Sequence, residues 1–178
     1  MQLIRCTKKL QTEMGLKPTD LSSREPDKSL LGSWTANLLL MGRYKCVLFF
    51  NEETYFNFIV PDVLRKHIKD LSNMFVGNLS CVLADEGVPE QLRQQIIAEC
   101  AQIEFCNTNS RQILGMMNQF ARYYENAFCE LGSLHSCEIP NVIRNANRML
   151  AGMPEYKTPI IELQKRLGLP IKKAVRLF

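Results

Sequence analysis

The chain has 178 residues, 46% of them hydrophobic and 22% charged, and a formal net charge of +4. A chain of this length buries about 70% of its unfolded surface, so one substantial core forms without disulfide or metal staples. The charge is local: residues 157–178 hold six basic side chains against one acid, which leaves the first 156 residues one unit negative and points to a localised basic patch rather than a general phosphate-binding surface.

The seven cysteines, Cys6, Cys46, Cys81, Cys100, Cys106, Cys129 and Cys137, contain no CxxC pair, and several fall in apolar stretches. That usage predicts buried thiols in a reducing compartment rather than a disulfide framework. The opening MQLIRCTKKL lacks an apolar signal core and no window approaches 18 uncharged apolar residues, so a cytoplasmic location is expected.

In chain order, Leu3–Cys6 reads as a short strand. Thr7 can then cap a brief helix carrying Leu10 and Met14 on one face, which Gly15 ends in a left-handed conformation. Residues 17–31, rich in Pro, Ser and charge, form a surface loop. Apolar and aromatic runs near 33–41, 45–50 and 54–60 are separated by connections short enough only for antiparallel neighbours. Their middle run, Cys46 to Phe50, has no polar alternation and suits a central strand. Trp34–Met41 could also form a helix, since Ala and Leu favour one, but the strand reading is preferred.

Pro61 opens a long amphipathic helix over 62–84, weakened at Gly77, and a second helix runs from Val88 to about 101. Ile103–Cys106 returns to the sheet as a short strand. Ile113, Met116, Met117, Phe120, Tyr124, Phe128 and Leu131 then keep helical spacing through the centre of the domain. Further helices are expected over 138–150 and from Thr158 to Gly168. The fold class is α+β, a small and mainly antiparallel sheet packed against several amphipathic helices. Residues 1–168 form one domain and 169–178 a basic C-terminal extension.

Two histidines, His67 and His135, leave little room for His-based chemistry, and HExxH, Walker, GxGxxG and GxSxG patterns are missing. Neither a metal nor a cofactor is expected. Cys129, His135 and Cys137 could in principle supply zinc ligands, and Cys129 with His135 a thiol–imidazole pair, but buried thiols and a surface histidine are the simpler reading. Glu52-Glu53 reads as a solvated acidic turn.

The strongest polar concentration is Thr108 to Arg111 at the junction of a strand and a helix. Thr108, Ser110 and Arg111 with exposed helix amides could bind a phosphate or carboxylate, although ordinary capping satisfies the same groups. Arg5, Asn37 and Arg43 would join them if the N-terminal strand and the strand ends share one rim. Lys165, Arg166, Lys172, Lys173 and Arg176 are the candidates for nucleic-acid contact.

The segments IRCTKKL (4–10), LGSWTANLLL (31–40), RYKCVLFFNEETYFNFIVP (43–61), TNSRQILGMMNQFA (108–121) and MPEYKTPIIEL (153–163) resemble an uncharacterised family of small bacterial proteins carried on chromosomes and mobile elements. The likeness rests on Arg5-Cys6-Thr7, Trp34-Thr35-Ala36-Asn37 and Asn109-Ser110-Arg111. It implies shared architecture and no mechanism. Where the family has a serine-rich stretch, this chain has Gln112 to Met117, which argues against a hydroxyl-based catalytic role there.

The leading expectation is therefore a non-enzymatic accessory or regulatory protein binding a protein or nucleic-acid partner. The alternative is a small hydrolase or nuclease whose Arg5, Asn37, Glu52 and Arg111 converge in one pocket. Self-assembly through a sheet edge or an exposed Leu/Met helix face is a third reading; no membrane contact is expected.

Overall fold

A computed structural model describes residues 1–24, 29–152 and 157–171. The elements are β1 (Gln2–Cys6), α1 (Lys8–Met14), a single 3-10 turn at Pro18–Asp20, β2 (Trp34–Met41), β3 (Tyr44–Asn51), β4 (Asn57–Val60), α2 (Arg65–Lys69), α3 (Leu71–Asp85), α4 (Glu90–Glu99), β5 (Ile103–Asn107), α5 (Arg111–Leu131), α6 (Ile139–Ala146) and α7 (Pro159–Arg166). The α+β class expected from the sequence is what forms, and Trp34–Met41 is a strand.

The sheet runs β4-β3-β2-β1-β5 and is mixed. The β2-β3-β4 meander is antiparallel, as the short connections require, whereas β1 is parallel to both β2 and β5. Those parallel pairings join strands separated by α1 and by the helical excursion α2–α4, and local pattern, which marks the helices, does not specify which distant strands meet.

Helices cover both faces. On one, Phe75 of α3 meets Trp34 and Phe49 at 5.2 Å and Phe58 at 6.1 Å between ring centroids. On the other, Phe120 of α5 packs 5.6 Å from Phe50. Trp34, Phe49, Phe50, Phe58 and Phe75 are all fully enclosed, and edge-to-face and stacked ring pairs of this kind add to the area they bury.

Several boundaries move for physical reasons. Gly15 ends α1 with φ 78° and Thr7 stands at its N-cap position, both as expected, but the Thr7 hydroxyl donates to Asn37 Oδ1 at 2.9 Å instead of capping a helix amide. The third strand of the meander begins only at Asn57, because Asn51 Oδ1 accepts from Thr54 N at 2.9 Å and Thr54 Oγ1 at 2.8 Å and folds 51–56 into a turn. Pro61 lies outside the next helix, since Asp62 takes φ 48° and Val63 N donates to Lys45 O at 2.8 Å before α2 starts. The expected long helix breaks at Asp70, and α3 passes through Gly77 uninterrupted.

Candidate functional site

Arg5 on β1 stands in register with Thr35 of β2 on one side and Cys106 of β5 on the other, which puts all three side chains on the face that α5 partly covers. Glu52, one residue beyond β3, reaches the same spot. Arg5 Nε lies 3.3 Å from Glu52 Oε1, Thr35 Oγ1 donates to that oxygen at 2.5 Å, and Arg5 Nη1 donates to Cys106 Sγ at 3.6 Å. The Arg5 and Glu52 side chains are only 13% and 16% exposed, so the guanidinium is fixed in place and the pair is screened less than a surface ion pair. Glu52 is thus an internal partner of Arg5 rather than half of a solvated acidic turn.

Arg5 and Cys106 of this cluster line a recess of about 410 Å³ together with Ser22, Arg24, Asn107 and Asn109 among others, with Glu52 and Thr35 behind them. Arg24 Nη1 meets Glu104 Oε1 at 3.0 Å, with the Arg24 side chain 69% exposed, so both arginines carry a glutamate partner, one held inside and one exchangeable with solvent. Burial, the largest influence, pushes the Cys106 thiol above its usual pKa, with Glu52 acting in the same direction and Arg5 against it. Cys106 is therefore a neutral thiol near pH 7 and a poor nucleophile.

The other residues singled out in the sequence are only partly drawn together. Ser110 caps α5, its Oγ accepting from Ile113 N at 3.2 Å, so the capping alternative is the one realised. Thr108 is half-buried beside it, and Arg111 is exposed at the first position of α5. Asn37 is engaged with Thr7, and neither Asn37 nor Arg111 lines the recess. Arg43 lies elsewhere, at the β2–β3 turn, its guanidinium 5.1 Å from the centre of the Tyr44 ring and its Nη2 2.9 Å from Tyr44 Oη.

Tyr44 lines a separate cavity of about 650 Å³ with Phe128, Cys129, Leu134 and His135. His135 Nε2 is 3.1 Å from Asp62 Oδ2, and no hydrogen bond among the described residues joins its ring to Cys129. Among the described residues no group of His, Cys, Asp and Glu is arranged to hold a metal ion, and the Cys129 and Cys137 thiols are exposed rather than buried as expected.

Of the basic residues near the C-terminus, Lys165 pairs with Glu162 at 2.8 Å, while Arg166 pairs with Glu53 and donates to Leu30 O at 2.6 Å. Both belong to α7; the Lys165 pair lies within the helix, and Arg166 ties the helix to the fold. Lys172, Lys173 and Arg176 lie outside the described residues, as does most of the expected extension 169–178. Ser22 and Arg24 carry no signal of this role in the sequence, and Thr35 enters it only as part of the Trp34–Asn37 stretch, a threonine amid the apolar run of β2.

No helix among the described residues is long and apolar enough to cross a membrane. No curated protein and no solved structure matches the chain. Residues 3–162, nearly the whole folded region, match a domain of unknown function, DUF6933, and the chain belongs to that family.

Proposed function

We propose that this protein is a non-enzymatic accessory or regulatory protein of the bacterial cytoplasm that binds a protein partner through a carboxylate received at the Arg5 recess. The observation that carries this reading is the Arg5–Glu52–Thr35–Cys106 cluster, a guanidinium held nearly dry and pre-oriented at the floor of a polar recess. A fixed guanidinium loses little freedom on accepting a carboxylate, and the exposed Arg24–Glu104 pair can exchange its acid for an incoming one. Binding is favoured over hydrolysis because Glu52, the nearest acid, is already engaged by Arg5 and Thr35, and because Cys106 stays protonated. A protein partner is favoured over nucleic acid because Arg166, in the basic segment, is taken up by Glu53 and the Leu30 carbonyl.

The test is titration of a fluorescein-labelled hexaglutamate into the full chain and its Arg5→Lys, Arg5→Ala and Arg24→Ala variants, with folding checked by near-ultraviolet circular dichroism. Loss of a charge-assisted hydrogen bond is worth about 1.5–3 kcal/mol, so Arg5→Ala is expected to weaken binding at least tenfold. Arg5→Lys restores little, since lysine lacks the planar fork. Equal affinity for the wild-type chain and folded Arg5→Ala contradicts the proposal.

A further inference from the structure

The register of β5 with β1, in which Gln2 N donates to Gln102 O at 2.8 Å, turns the backbone groups of Glu104 and Cys106 towards β1 and those of Ile103, Phe105 and Asn107 outwards. Of these outward groups only Phe105 O has a backbone partner among the described residues, the Ser22 N–H at 2.7 Å. Among the described residues, that backbone hydrogen bond and the Arg24–Glu104 pair join the Pro18–Arg24 segment to this edge. Glu104 and Cys106 share the Arg5 face, and the half-buried Ile103 and Phe105 share the other.

Building on the carboxylate reading, we infer that the partner docks as an extended strand on the outer edge of β5, alternating acidic residues on the Arg5 face with apolar residues on the Ile103 and Phe105 face. Two features on the edge define that occupant. Ser22 already occupies the position of a strand donor, so an incoming backbone N–H replaces it on Phe105 O and gains Phe105 N–H and the Ile103 and Asn107 groups as well. The period of two along a strand then carries every second side chain to the Arg5 face and the intervening ones to the Ile103 and Phe105 face.

The experiment compares four probes on the full chain by fluorescence anisotropy: a hexapeptide alternating Glu and Val, its isomer with the three Glu and three Val in blocks, and two analogues of the alternating peptide N-methylated at one or the other set of alternate amides. The alternating peptide is expected to bind at least tenfold more tightly than the block isomer. One N-methylated analogue is expected to lose at least tenfold, the other little. Ser22→Pro, which removes the competing donor, is expected to tighten binding several-fold, and Arg5→Ala to weaken it. If hexaglutamate binds in an Arg5-dependent way while alternation and N-methylation make no difference, strand docking is wrong and the carboxylate site stands. If no acidic probe binds through Arg5, both readings are wrong. Sedimentation equilibrium showing that the free chain is already a dimer, broken by Phe105→Pro, assigns the edge to a second copy and likewise overturns the inference.

Discussion

The two edges of the sheet are finished in different ways. At β4, the buried Asn147 side chain acts as a substitute strand: its Oδ1 accepts from Asn57 N at 2.9 Å and its Nδ2 donates to Asn57 O at 2.7 Å. Tyr124 Oη adds a 2.8 Å donation to Asn57 Oδ1, and all three residues are fully enclosed. At β5, a surface segment supplies one backbone donor and one solvent-exposed ion pair. A satisfied buried network is costly to break and serves stability, whereas an edge held by exchangeable contacts can be taken over by another chain.

That contrast is sharpest under mutation. Asn147→Ala leaves two enclosed backbone groups of Asn57 without partners and is expected to cost about 3 kcal/mol, measured by urea unfolding. Tyr124→Phe removes one hydroxyl and leaves one acceptor unmet, for about 1 kcal/mol at pH 7. Arg24→Ala at the other edge is expected to change stability by less than about 0.5 kcal/mol. A cost at Arg24 matching that at Asn147 would erase the distinction between the edges.

Buried groups also carry a pH signature. Burial drives the Tyr124 hydroxyl well above its ordinary value of 10.0 and the Cys100 thiol from 9.0 up to about 11. Because the folded-state values lie above the unfolded ones, the stability these groups contribute is complete below about pH 9 and is lost as the pH rises through the folded values. Unfolding midpoints should therefore be insensitive to these groups between pH 7 and 8 and fall from pH 9 upward, less steeply in Tyr124→Phe; a flat profile to pH 11 would contradict the burial of these groups.

Local pattern made most elements legible. The meander followed from short connections, and α5 from the spacing of Ile113 to Leu131. The parallel placement of β1 did not, because its partners lie about 30 and 100 residues away in the chain. The site divides along the same line. Arg5 and the Thr108–Arg111 junction stand out by residue type alone, but only the fold shows that Glu52 turns inward to Arg5 and that Arg43 is stationed beside Tyr44. The charge count marks a basic terminal segment, but only the fold shows that Arg166 within it is engaged by Glu53 and two loop carbonyls.

Amide hydrogen exchange at single-residue resolution probes both edges at once. The Asn57 amide, bonded to Asn147, should exchange only on global unfolding, whereas the outward Phe105 amide should exchange many-fold faster and slow on addition of the alternating Glu–Val peptide while Asn57 stays unchanged. Equal protection of the two amides in the free protein, or a Phe105 amide indifferent to a bound peptide, would contradict the account of β5 as the open, partner-binding edge.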